Sequence, residues 1–178
     1  MTSPAPAPAP EHIAVDLESR SDPLDPRNQR IYGVTNHRHL RIDVPVITDI
    51  TDTLWMGGVL DGLVLPREVR HLVTLYPWER YRGREQLESE VVIRLFDDAA
   101  NFDPQPYLEL ADWVAHRSAQ GVTLVHCQAG LNRSGLVTGL ALVNQGYSGE
   151  AALALLRDRR GPAVLCNPTF EAFLLSRS

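Results

Sequence analysis

The chain has 178 residues, 44% of them hydrophobic and 22% charged, which is the composition of an ordinary globular protein with enough chain for one well-buried domain. Its 17 basic and 22 acidic residues leave a formal net charge of −5, which argues against broad nucleic-acid binding driven by phosphate neutralisation. No apolar run approaches the roughly 18–20 residues a bilayer span requires. The start, MTSPAPAPAP, lacks the basic and apolar regions of a secretory leader, so the expected location is the cytoplasm with no membrane partner.

In chain order, the Pro-Ala alternation up to Pro10 removes donors and fixes φ, and reads as an extended tail. The polar stretch that follows carries the turn signals Asp22-Pro23 and Asp25-Pro26. Residues 1–30 are therefore expected as a flexible tail and 31–178 as the single domain, its compact part starting between Ile31 and Val44. Leu54-Trp55-Met56 before Gly57-Gly58 reads as a strand ending at a turn, and His71–Leu75 as a buried strand broken by Tyr76-Pro77. Val91–Leu95 and Val122–His126 are two more. Between them, Asp103 as cap and Pro104 in the first turn open a helix to about Ala119, its apolar face at Tyr107, Leu110, Ala111 and Val114. Further helices are expected from Arg133 to Gly146, from Ser148 to Arg160, and from the Asn167-Pro168 cap onward. Strands alternating with helices predict an α/β domain with a mostly parallel central sheet and helices on both faces, ligands binding at the carboxyl ends of the strands.

Cys127 sits at such an end. There are two cysteines, Cys127 and Cys166, and neither has metal-ligand spacing. Cys166 reads as a small buried apolar residue, and a disulfide between the two has no support in the sequence. Cys127 leaves a buried strand, Gln128, Ala129, Gly130, Leu131 and Asn132 turn around it, and Arg133 opens a helix. A turn of this kind can curl its N–H groups into an anion-binding nest, and the helix start adds its positive end. Gly130 and Gly135 relax the backbone. All of these favour the thiolate, the reactive form of cysteine, beneath whatever anion the loop holds. Arg133 offers a planar fork to two phosphate oxygens. Ser134 can donate to the sulfur as it leaves, and His126 reads as a buttress of the loop.

This segment, His-Cys, five residues, then Arg-Ser, resembles the signature of the protein tyrosine phosphatase superfamily, in the version of its compact dual-specificity phosphatases. The likeness runs over roughly Val44 to Ser178, with Leu54–Gly58 similar to the family's early strand-and-glycine segment and Asn167–Phe170 to the start of its last helix. It implies a cysteine-dependent phosphomonoester hydrolase working through a phosphocysteine, without metal or other cofactor. It also implies a general acid just after the strand preceding the signature. Asp97 is the better match there and Asp98 the alternative. The implied substrate is a phosphorylated protein, on phosphotyrosine or phosphoserine and phosphothreonine, since no pocket-deepening loop is found. The loop holds no lysine, which speaks against a phosphoinositide specialist. Gly130–Arg133 is also similar to the loop of RNA 5′-triphosphatases, so an RNA 5′ end is the alternative substrate. A phosphate-binding module without turnover, or a sulfurtransferase with a loop cysteine, fits less well because cysteine, arginine and acid are all present. Tyr76–Arg84 alternates aromatics with Arg80, Arg82 and Arg84; it reads as either a basic, stacking rim at the mouth or a solvated loop with Trp78 in the core.

Overall fold

The computed structural model describes Pro23 and residues 25–177. Its elements are β1 (Arg30–Val34), β2 (Arg41–Pro45), β3 (Ile47–Asp49), β4 (Leu54–Gly57), β5 (Val69–Thr74), β6 (Ser89–Val92), α1 (Gln105–Ser118), β7 (Val122–His126), α2 (Arg133–Asn144), α3 (Gly149–Arg160) and α4 (Pro168–Leu175). No described helix is long and apolar enough to cross a membrane. Of the expected tail, residues 1–22 and 24 lie outside the described residues. Packing begins earlier than the sequence suggested: Asp25 is buried and accepts from the Arg27 amide and guanidinium.

The central sheet has the order β3-β4-β7-β5-β6, parallel except for the antiparallel β3–β4 pair. β7 lies in its middle, paired on both sides, which is why its run Val122–His126 is almost entirely buried and carries Val122, Leu124 and Val125. The α/β class and the mostly parallel sheet match expectation. The helices do not divide between the faces. The buried apolar residues of all the described helices join one cluster, against Leu54, Met56, Val73 and Val125. The opposite face, with Trp55, Leu72 and Leu124, is roofed by Val59, Leu63, Leu65 and Tyr81 from loops. The reason is connectivity: β4 to β5 and β5 to β6 are joined by loops, and only β6 to β7 is joined by a helix.

Local signals hold where side chains enforce them. Ser148 caps α3 by accepting from the Ala151 amide, and Asn167 caps α4 by accepting from the Thr169 amide. Asp103 accepts from the Gln105 amide at the start of α1. The strand expected at Val91–Leu95 is shifted to Ser89–Val92, because Ile93 and Leu95 bond singly to the ends of β5 and the ladder stops. The hairpin β1–β2 and strand β3 were not foreseen.

Phe170 anchors α4 under the sheet with no exposed surface, its ring 5.1 Å from Phe102 and 5.3 Å from Tyr107. Phe170→Ala leaves a cavity against the Phe102 and Tyr107 rings, and the expected cost is about 3–5 kcal/mol of unfolding free energy, measured by urea titration.

Candidate active site

The site starts from a backbone requirement. For the loop after β7 to aim its N–H groups inward, its carbonyls must point outward and find partners. They do, one by one. Gln128 O accepts from the Val59 amide at 3.1 Å, and Leu131 O from the Leu165 amide at 3.2 Å. Ala129 O and Gly130 O both accept from Arg160, at 3.1 and 2.6 Å. Arg160 also donates to Pro45 O at 2.7 Å and to the Thr48 hydroxyl at 2.8 Å, so one buried side chain ties the loop to the sheet edge. Burial pushes its guanidinium down to about 10, and it stays charged at neutral pH.

The loop closes tightly on the end of β4. Gly130 has φ of +70°, and a Cβ there would lie 2.3 Å from the Gly57 backbone. A Cβ on Gly58 would lie 2.6 Å from Gln128 O. Both positions therefore need glycine, one for its dihedral and both for space.

Inside the curl sits Cys127, 2% exposed. Its sulfur lies 3.3 Å from the Ser134 hydroxyl and accepts from the Gly130 amide at 3.3 Å. Burial by itself would push the thiol up. The Arg133 charge, the Ser134 hydroxyl and the amides of Ser134 and Leu131 together outweigh it, and the thiol is held below its ordinary value. His126 is buried with Nε2 2.9 Å from the Thr74 hydroxyl and Nδ1 3.4 Å from Cys127 O. Burial pushes it down to about 4, so the ring is neutral at physiological pH and buttresses the loop.

Arg133 donates Nη1 to Leu95 O at 3.1 Å, and its guanidinium carbon lies 5.5 Å from the centre of the Tyr76 ring. Its Nε is buried without a hydrogen-bond partner. The carbonyl and the ring fix the fork, leaving donors for an oxyanion.

Asp97 lines the same cavity of about 370 Å³ as Cys127 and Arg133, together with Gln128, Ala129, Leu131 and Asn132. Its oxygens accept from Asn132 Nδ2 and Asn167 Nδ2, each at 2.8 Å, and His37 Nε2 lies 3.2 Å from Oδ1. Asn132 Oδ1 in turn accepts from the Asn167 amide at 3.0 Å, so the aspartate loop, the cysteine loop and the start of α4 form one bracket. Asp98 faces its own turn, accepting from the Ala100 amide and the Asn101 side chain, each at 2.8 Å. The Asn101 side chain, with the backbone amides, holds its carboxyl below the ordinary value.

Thus the structure brings Cys127, Arg133, Asp97, Gln128, Ala129, Leu131 and Asn132 to one cavity, with the Ser134 hydroxyl and the Gly130 amide against the sulfur. Three participants were not foreseen: Arg160, His37 with its hairpin, and Asn167 beyond its capping role. Arg160 had a signal. It lies four residues after Leu156 on the buried stripe Ala152, Leu153, Leu156 of its helix, where a charge needs a reason. Cys166 is buried, a free thiol whose Sγ lies 3.4 Å from Asn132 Oδ1.

The rim differs from its sequence reading. Trp78 is 57% exposed, so it is not a core residue, but Arg84 is engaged by Glu90 at 2.6 Å and Tyr81 is buried. The cation against Trp78 is Arg94, two residues past the end of β6.

If Arg160 shapes the nest, Arg160→Met raises the pH at which Cys127 becomes alkylatable, because loop amides turn away from the sulfur. Iodoacetamide inactivation against pH measures this. Thr48→Val, which removes only one of the arginine's acceptors, is expected to shift the profile the same way by less and guards against simple unfolding of the Met variant.

No protein-family model matches the chain, and no curated protein sequence does. Solved structures do. Human DUSP28 matches at 23% identity and TM-score 0.60 over 73% of this chain and 90% of its own. OH1 from the Orf virus, described as a tyrosine phosphatase with triple substrate specificity, matches at 26% identity and TM-score 0.54 over 72% and 84%. PTPMT1 in complex with PI(5)P matches at 16% identity and TM-score 0.56 over 72% and 94%. With the strand–loop–helix geometry at Cys127, these matches show that the chain has the compact dual-specificity phosphatase fold of the protein tyrosine phosphatase superfamily.

Proposed function

We propose that the chain is a cysteine-dependent phosphomonoester hydrolase, acting on phosphotyrosine and on phosphoserine or phosphothreonine in proteins. The observation that carries this is the Cys127 thiol, held below its ordinary value inside a loop whose carbonyls are all bonded outward, with the partner-free Arg133 Nε at the same cavity.

In this reading a phosphate seats its oxygens on the loop amides and the Arg133 fork. The Cys127 thiolate attacks phosphorus in line, forming an S–P bond as the ester P–O bond breaks. Asp97 gives its proton to the leaving oxygen, letting go of one of its two amide contacts to do so. As a carboxylate it then takes a proton from water, which attacks the phosphocysteine and releases inorganic phosphate. The Ser134 hydroxyl donates to the departing thiolate. Arg133 meets the equatorial oxygens in both steps, where charge is spread in the transition state. No step calls on a cofactor. A working thiolate also suits a reducing compartment such as the cytoplasm.

The protein substrate is preferred to an RNA 5′-triphosphate on the net charge of −5, although Gly130–Arg133 supports either. A phosphotyrosine peptide, a phosphothreonine peptide and a short 5′-triphosphate RNA, assayed side by side for phosphate release, decide between them. Peptide turnover absent from Cys127→Ser is the expected result; release from RNA alone would move the function to RNA ends.

The acid has its own test. Asp97→Ala is expected to lower kcat by roughly 10²–10⁴ on alkyl phosphates and much less on aryl phosphates with good leaving groups. Asp98→Ala should show no such leaving-group dependence. The reverse pattern would assign the acid to Asp98.

A further inference from the structure

Beside the catalytic cavity stands a connected ladder of rings and cations. Arg133 lies over Tyr76, and the Tyr76 and Trp78 rings are 5.0 Å apart. The Arg94 guanidinium carbon lies 4.6 Å from the Trp78 ring centre and 4.5 Å from that of Phe96. Trp78 is 57% and Phe96 61% exposed, among the most exposed large apolar side chains of the described residues. The ladder is joined to the catalytic machinery a second time through the backbone, because Arg133 Nη1 bonds to the carbonyl of Leu95, the residue between Arg94 and Phe96.

Among the described residues Arg94 takes part in no hydrogen bond or ion pair, unlike Arg27, Arg30, Arg70, Arg84 and Arg157, each of which is matched to a carboxylate. Stacking engages the flat face of a guanidinium and leaves its in-plane N–H fork open. It also lowers the entropic cost that makes most surface arginine pairs weak, since the side chain is already ordered. An ordered, unmatched fork next to a phosphate site is built to take a second oxyanion.

Resting on the phosphopeptide reading, we infer that Arg94, ordered by Trp78 and Phe96, forms a subsite for the carboxylate of an acidic residue flanking the phosphorylated one. The phosphate would sit on Arg133 and the neighbouring side-chain carboxylate on Arg94, with the peptide running past the exposed edges of Trp78 and Phe96. Arg94 acts on selection of substrate; the bond-breaking atoms are elsewhere.

Two peptide series test this, one with phosphotyrosine and one with phosphothreonine, each carrying Ala or Glu at successive positions on either side. The wild-type protein is expected to favour Glu over Ala at one such position by about fivefold in kcat/KM, mainly through KM, as fits one exposed charge-assisted fork. The preference should shrink at high salt and vanish in Arg94→Gln. In Trp78→Leu, which keeps the charge and loosens the stack, it should weaken. Cys127-dependent turnover without any preference, or a preference that survives Arg94→Gln, overturns the subsite and leaves the phosphatase reading standing. Failure of every peptide, with or without hydrolysis of a 5′-triphosphate RNA, overturns the phosphopeptide reading and the subsite with it.

Discussion

The structure depends on keeping the carbonyls of residues 128–131 turned away from Cys127. A nest of inward N–H groups is only half of a backbone arrangement; the other half is a row of carbonyls that must be paired elsewhere. Amides of Val59 and Leu165 hold the two ends of the row, and Arg160 holds the middle. Arg160 is 3% exposed and forms no ion pair with a carboxylate among the described residues. Burying a lone cation costs several kcal/mol unless its donors are met and an opposite charge is near. Here carbonyls and one hydroxyl meet the donors, and the Cys127 thiolate supplies a charge that works against the downward push of burial on the arginine. The buried cation is thus held by the same loop that carries Cys127.

That arrangement explains why parts distant in sequence meet at one spot. Arg160 can reach the loop only because α3 ends beside it, and it reaches Pro45 O and Thr48 because β2 ends where β3, the edge strand of the central sheet, begins. Gly57 and Gly58 end β4 beside the loop, where any side chain on Gly58 would strike Gln128 and Ala129. Asp97 is placed by the same logic. Asn132 belongs to the cysteine loop and Asn167 to the α4 cap, so the aspartate loop takes its position from the cysteine loop and the start of α4.

What the sequence revealed follows from how local each signal is. β7 announces itself because a central strand covered on both faces is mostly apolar and β-branched, as Val122-Thr123-Leu124-Val125 is. α3 and α4 announce themselves because Ser148 and Asn167 cap them within a few residues. Cys127, Arg133 and Ser134 lie within one turn and helix start, so spacing alone brings them together. Arg160 joins the site through the fold, 27 residues after Arg133, and only its place on an apolar stripe marks it. The hairpin β1–β2 was hidden because Arg30, Arg41 and Asp43 alternate with apolar residues in two strands of five, too short and polar to stand out. The expectation of helices on both faces assumed that every parallel crossover is helical. Loops of about a dozen residues make two of them, and period and caps say little about such loops.

These differences separate chemistry from selection. The residues proposed for bond breaking are fixed from several sides: the sulfur by a hydroxyl and amides, the arginine by a carbonyl and a ring, the aspartate by two amides. Substituting any support disturbs them all, so the sequence has little freedom there. The walls around them are built differently. The hairpin lends Val34, Thr35 and Asn36 to the cavity and sets His37 against Asp97, while Tyr76 under Arg133 leads to the exposed Trp78, Arg94 and Phe96. Much of that rim can change without disturbing the nest. On the proposed reading, the buried loop would take a substrate's phosphate, and elements the fold leaves free to vary would meet what flanks it.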